Sequence, residues 1–216
     1  MASSFPNGTV FSISTVAAAA DVVSGITNAS PGVATSTAHG NADGTILIVT
    51  AASTRLDQRP VRVASTAANT FALEGIDTSN VLTYPSGFGV GSVVAVSSFI
   101  ALSQTTNTAS SGGEQQFFQW VYLEDGKQRQ RKTFKNARSL QWTADYDPSL
   151  AWHAALLDAD ETGTTRVLQA VLPNGSKIYW SVEVSFDGEP TFNTNQNQQV
   201  VATFSMVAPV STRYAA

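Results

Sequence analysis

The chain has no cysteine, which excludes a disulfide scaffold and any thiolate-based metal site. Charge is scarce as well. Lys, Arg, Asp and Glu make up 13% of the residues, about half the ~25% usual in soluble domains. A free monomer normally stays soluble through charge. Here Ser, Thr, Asn, Gln and Ala fill that role, and such surfaces are buried against copies of themselves at low desolvation cost. That suits a subunit that disappears into an assembly, although a secreted β-sandwich has the same look. No stretch approaches the ~18 consecutive apolar residues that cross a membrane. The start, Met1 to Pro6, has neither a basic residue nor an apolar core, so no secretory leader is expected and cytoplasmic synthesis follows. Without a leader, Asn7-Gly8-Thr9, Asn28-Ala29-Ser30 and Asn174-Gly175-Ser176 read as turns rather than glycosylation sites. The two histidines, His39 and His153, lie in different segments without ligand spacing, so no metal or other cofactor is expected. Gly-x-Ser-x-Gly, Walker and Rossmann patterns are all missing, and nothing points to an enzyme.

The most informative stretch is 139–209. Over 177–186, Ile178, Trp180, Val182, Val184 and Phe186 alternate with Lys177, Tyr179, Ser181, Glu183 and Ser185. This period of two predicts a strand with the first set buried and the second facing solvent. Pro173-Asn174-Gly175 before it predicts a hairpin. A closing strand puts Val200, Ala202, Phe204, Met206 and Ala208 on one face; its other face, with Val201 and Val207, is apolar enough to need a cover. Between the strands a helix is expected, with Asp147 as N-cap, Pro148 in the first position, Gly163 as the stop, and Leu150, Ala154 and Leu157 as its packed stripe. Asp158, Asp160 and Glu161 crowd its C-terminal turn, where the helix dipole disfavours acids by roughly 0.3–1 kcal/mol each. Either they are simply solvated, or a basic partner in this chain or a neighbour meets them.

The segment 18–96 is rich in Ala, Ser, Thr, Val and Gly, with short strands expected at 45–50, 61–65 and 71–73. A polar passage without apolar periodicity follows at 103–113. Then comes the run 115–123, a tip at Glu124-Asp125-Gly126-Lys127, and a polar return through Arg138, which together read as a second hairpin without a clear register. Lys127, Arg129, Arg131, Lys132, Lys135 and Arg138 are half of the 12 Lys and Arg in the chain. Three readings stay open for them: a nucleic-acid patch, a solvated hairpin, or a contact with acids such as Asp158, Asp160 and Glu161 on another copy. Trp120, Trp142, Trp152 and Trp180 suit core or interface anchors better than a sugar platform.

Order and spacing supply a resemblance. Ser139-Leu140-Gln141-Trp142, Asp147-Pro148-Ser149-Leu150-Ala151-Trp152, Leu172-Pro173-Asn174-Gly175-Ser176 and the closing strand to Pro209 resemble the major tail tube protein of long-tailed, non-contractile bacteriophages of the lambda type. Gly8-Thr9-Val10-Phe11-Ser12-Ile13 and Ser111-Gly112-Gly113-Glu114-Gln115-Gln116-Phe117 resemble that family too. The resemblance implies a mainly β fold, a tail-tube β-sandwich or barrel with one flanking α-helix. In that frame 1–17 is its first strand, 97–216 its main body, and 18–96 a small inserted all-β domain on the outer surface. As an outward decoration the insert would be dispensable, so that deleting 20–95 still leaves tubes. The implied job is structural: hexameric rings, self-assembled and stacked into a tube, hold a tape-measure protein and then pass the genome. The 115–138 hairpin would touch stacked copies, and distal tail or baseplate and tail terminator proteins would be further partners. Location in the virion tail after assembly in the host cytoplasm is implied, with no membrane contact. DNA that must slide through argues against cations in the bore, which places the six basic residues at ring interfaces or outside. The alternatives are a tail terminator or baseplate ring, or a carbohydrate-binding β-sandwich.

Overall fold

Residues 7–15, 19–96, 98–192 and 194–216 are described by the computed structural model, and among them are seventeen strands and one helix. The leader expectation at Met1 to Pro6 and the expected boundaries beside residues 17 and 97 lie outside the described residues. In chain order the strands begin with β1 (Val10–Ser14), β2 (Ala20–Val23), β3 (Gly25–Ile26), β4 (Val33–Thr35), β5 (Ile46–Ala51), β6 (Arg59–Ala67), β7 (Thr70–Leu73) and β8 (Gly91–Val96). They continue with β9 (Phe99–Leu102), β10 (Thr105–Ser111), β11 (Gln115–Val121), β12 (Gln128–Lys135) and β13 (Ser139–Asp145). Helix α1 (Ala151–Thr162) precedes β14 (Arg166–Val171), β15 (Lys177–Ser185), β16 (Gln199–Met206) and β17 (Thr212–Tyr214).

The larger sheet has the order β10-β13-β16-β15-β14-β1-β9, with β17 added to β15. Its two outermost strands, β9 and β10, are joined through Ser103 and Gln104 alone, so the sheet curls until its ends approach. Ile13, Trp142, Leu156, Leu168 and Phe204 fill the curl and are fully buried. Helix α1 lies against β9 and β15, and the Trp142 and Trp152 rings meet edge to face at 5.0 Å, a preferred aromatic geometry. The expected β14–β15 hairpin is present. Leu172 N–H donates to Ser176 O at 2.9 Å, Asn174 Oδ1 accepts from Ser176 N–H at 3.0 Å, and Gly175 takes φ 82°, a conformation easy only for glycine.

The helix differs from expectation at its start and in its buried face. Asp147 Oδ1 accepts from Ser149 N–H at 3.0 Å and from Ser149 Oγ at 2.6 Å, while Leu150 N–H donates to Asp147 O at 3.3 Å. Asp147 and Pro148 therefore shape a turn that precedes the helix. Leu150 is the capping position, without a side-chain cap. The buried stripe is Trp152, His153, Leu156 and Ala159, two residues on from the expected one, and Ala154 and Leu157 are exposed. Burying Trp152, the bulkiest side chain on the helix, sets that rotation. Gly163 ends the helix in the left-handed conformation, as its position predicted. The polar passage 103–113 also differs: most of it is β10, bonded to β13 on one side, with every side chain exposed.

Residues 19–96 build a second sheet, β2-β8-β5-β6-β7-β4-β3. Its core includes Leu47, Val49, Leu56, Val61, Phe71 and Leu73. The unbroken run Ile46-Leu47-Ile48-Val49 has both faces buried. Leu47 and Val49 point into this core, whereas Ile46 and Ile48 join Val96, Val167, Tyr179 and Tyr214 in a seam against the larger sheet. Polar ties hold the same seam. Arg62 N–H donates to the Tyr214 hydroxyl at 2.7 Å, Arg59 Nε to Thr212 Oγ1 at 3.1 Å, and Ser181 Oγ to Gln58 O. Tyr179 and Ser181, expected to face solvent, are therefore buried beneath the second sheet. Thr15 N–H donates to Ser98 O at 3.1 Å, so the chain leaves the larger sheet and rejoins it at one place.

Candidate assembly surfaces

Among the described residues strands β11 and β12 pair only with each other. A two-stranded hairpin with no third strand or covering layer is marginal in water. Here the apolar residues also fall on both faces. Phe118, Trp120 and Tyr122 share one face, across from Arg131 and Arg129; Phe117 and Val121 share the other, across from Lys132 and Gln128. Phe118 and Phe134 are 61% and 66% exposed, and Leu123 at the tip is wholly exposed. Free monomers seldom leave so many large apolar groups together in water.

The hairpin is nevertheless shaped. Phe118 and Trp120 stack with ring centroids 5.8 Å apart, and Trp120 meets Tyr122 edge-on at 6.5 Å. The Arg129 guanidinium lies 4.7 Å from the Tyr122 ring centre and bonds Asp125 at 2.5 Å. Asp125 also accepts from Lys127 N–H at 3.1 Å, which closes the tip. Gln128 Nε2 donates to Gln119 Oε1 at 2.8 Å across the strands. A bulge between Gln115 and Phe117 sets the register that the polar return strand left open. At the root, Gly112, Ala137, Arg138, Trp180, Met206 and Pro209 border a cleft of about 640 Å³.

Of the six basic candidates, only Arg129 forms an ion pair among the described residues. Lys127, Arg131, Lys132, Lys135 and Arg138 form none, and none of the six reaches Asp158, Asp160 or Glu161 within the chain. The acids at the end of α1 are treated differently from one another. Asp158 Oδ2 takes Arg166 Nη2 at 2.7 Å; Arg166 is 3% exposed and Asp158 51%. Asp160 Oδ1 accepts from Phe186 N–H at 3.0 Å and so ties the helix end to the end of β15. Glu161 is exposed and bonds nothing among the described residues. One basic partner of this acidic turn is thus Arg166 of the same chain.

Of the hairpin's aromatic residues only Trp120 was singled out from the sequence, as a core or interface anchor; Phe118 and Tyr122, like Phe134 on the return strand, were not among the contact candidates. Their signal lay in the run 115–123, which is apolar at both odd and even positions and so needs cover on both faces. Of the tryptophans, Trp142 and Trp152 are core and Trp180 is half-buried. His153 packs edge-on to Tyr146 and Phe186, while both ring nitrogens of His39 bond backbone groups. Among the described residues no cluster of acids and histidines is placed to hold a metal ion, and no helix is long and apolar enough to cross a membrane.

A search of curated proteins finds no match. The model of the phage tail tube protein family matches residues 51–216, from the end of β5 through the second sheet's β6 to β8 and all of the larger sheet that follows. With well over half of its length matched, the chain belongs to the phage tail tube protein family, whose members are structural, non-enzymatic virion components.

Proposed function

We propose that the protein self-assembles into hexameric rings that stack as the phage tail tube and serve as the conduit for genome delivery. The tube would enclose a tape-measure protein and be bounded by distal tail or baseplate proteins at one end and a tail terminator at the other. Assembly would take place in the host cytoplasm, and DNA would pass without lasting contact. The observation that carries this reading is the β11–β12 hairpin, a shaped element with apolar residues on both faces and no cover on either among the described residues. Burial against neighbouring copies gives those faces the cover they lack. In this reading the free cations Lys127, Arg131, Lys132, Lys135 and Arg138, with Arg129, face acids of another copy, Glu161 and the exposed side of Asp158 and Asp160 among them. The 19–96 sheet then decorates the outer wall.

Electron microscopy of the concentrated protein tests the reading. Hollow tubes or sixfold rings are expected, and their yield should fall as salt screens the charge contacts. Particles that stay single at every concentration, or a sixfold-free ring, would count against it. Duplex DNA binding with a log–log salt slope of about −5 would instead assign the cations to phosphate.

A further inference from the structure

The outer face of the larger sheet, formed by the side chains turned away from its core, is divided along β15. On β14 and the first half of β15 that face carries Val167, Tyr179 and Ser181, which the second sheet buries. On β10, β13, β16 and the end of β15 it stays open, with Ser111, Gln141, Ser205, Glu183 and Ser185 exposed. Ile13 and Leu168 from the covered half meet Trp142 and Phe204 from the open half in one core, so the two outer faces look away from each other.

Strand register fixes what the open half presents. Ser111, Ser139, Ser205 and Glu183 form one cross-strand row, and Ala109, Gln141, Thr203 and Ser185 form the next. Beyond them Thr143 stands beside Val201 and Asp145 beside Gln199. The Ser111 and Ser139 hydroxyls lie 2.8 Å apart, and Gln199 Nε2 donates to Asp145 Oδ1 at 3.4 Å. Hydroxyls and amides dominate, Val201 is the one large apolar member of these rows, and the charges are the acids Asp145 and Glu183. No Lys or Arg occurs in 105–111, 139–145, 183–185 or 199–206. Arg138, one residue before β13, falls on the other side of the strand, where it borders the root cleft with Trp180 and Met206.

We infer that this open half lines the bore of the tube and is the surface that passing duplex DNA meets. The inference rests on the tube-assembly reading, in which the second sheet lies on the outer wall; the face turned away from that sheet then points inward. Charge selects the same face. Each cation that neutralises a phosphate releases counterions and adds to affinity, and a tube repeats any such contact in every copy. A polyanion that slides must therefore meet no row of Lys or Arg. Ser, Thr, Gln and Asn offer hydrogen bonds that water replaces at little net cost. Asp145 and Glu183 repel phosphates that come within about 8 Å, the screening length at physiological salt. A docking face for another copy would instead carry large apolar side chains in numbers, as the hairpin does; this one carries Val201, half-buried.

Because the chain has no cysteine, single engineered cysteines report on this placement. Gln141→Cys sits in the middle of the open face, and Ala68→Cys sits on an exposed turn of the second sheet. In assembled tubes a small maleimide should label both. A maleimide carried on a globular protein too wide for the bore should label Ala68→Cys only, whereas in the free subunit both reagents should label both sites. A second experiment reads the charge. Tubes assembled with short duplex DNA and then treated with nuclease should retain roughly tenfold more DNA when they carry Gln141→Lys than when unmodified, and Ala68→Lys tubes should retain no excess. Labelling of Gln141→Cys tubes by the bulky reagent would put the face outside, and labelling by neither reagent would make it a contact between copies. Either result overturns the inference and leaves tube assembly standing, as would equal nuclease-resistant DNA in Gln141→Lys and unmodified tubes. Failure of the unmodified protein to form any tube or ring would remove the assembly reading itself, and this inference with it.

Discussion

The second sheet and the β11–β12 hairpin are both appendages of the larger sheet, yet they solve opposite problems. The sheet of residues 19–96 buries one face in its own core and, through Ile46 and Ile48, presses the other onto Val167, Tyr179 and Tyr214. The hairpin buries neither face and keeps Phe118, Phe134 and Leu123 in water. One region completes its packing inside the subunit; the other leaves it to be completed elsewhere. Chemistry follows the division: the hairpin and its return to Arg138 carry half of the chain's 12 Lys and Arg, while the seam carries buried tyrosines. Exposed apolar surface mixed with unpaired charge suits reversible docking, and dry packing suits permanent attachment.

The largest effect should come from removing the second sheet. Deleting 20–95 was expected from sequence to spare assembly, but it also uncovers Phe99, Val167, Tyr179 and Tyr214. Each would lose part of a burial whose full worth is about 1.5–3 kcal/mol for a large apolar side chain. The deleted protein should aggregate or melt far lower, and polar replacements at Tyr179 and Tyr214 should restore solubility. A soluble deletion variant with an unchanged melting temperature would show the seam to be unimportant. Next in size is Trp142→Ala, inside the curl, which should cost the isolated subunit about 3–5 kcal/mol in denaturant unfolding. Phe118→Ser on the hairpin should change that quantity by less than about 0.5 kcal/mol while abolishing tubes in micrographs. Equal effects of the two on the subunit would erase the distinction between core and arm.

Smaller effects test the ion pairs. Asp158→Asn leaves the buried Arg166 with a neutral partner. Because Asp158 is half-exposed, the cost should be only about 1 kcal/mol, well below that of a fully buried pair. At the seam, bidentate bonding from Arg62 lowers the Glu74 pKa below the usual carboxylate value. A depressed pKa contributes stability above the unfolded-state value and loses it as pH falls through the folded one. Acidification below about pH 4 should therefore weaken the seam, by less than about 1 kcal/mol since Glu74 is partly screened by solvent. Glu74→Gln should remove that part of the acid dependence in a pH series of thermal melts.

Much of the larger sheet was legible in the sequence. Asn174-Gly175 and the strand pattern of 177–186 predicted a hairpin, and β14 and β15 pair as one. Where reading failed, a local pattern had more than one physical cause. Asp147-Pro148 has the chemistry of a helix start and equally of a turn, and only the burial of Trp152 rotates the helix to its observed face. Thr105 to Ser111 has no apolar period because a strand needs none when both its faces are wet. Tyr179 and Ser181 looked solvent-facing because their cover comes from a segment more than eighty residues earlier, signalled only by the two-faced run Ile46 to Val49. At the surfaces, the basic residues were conspicuous by composition. The aromatic faces beside them were not, since exposure is a property of what the rest of the chain leaves uncovered.

Hydrogen–deuterium exchange on the free subunit and on assembled protein tests the central claim most directly. Peptides spanning 115–135 should exchange rapidly in the free subunit and become protected on assembly, while those spanning 59–73 stay equally protected in both. A hairpin already protected in the free subunit, or unchanged by assembly, would contradict the account.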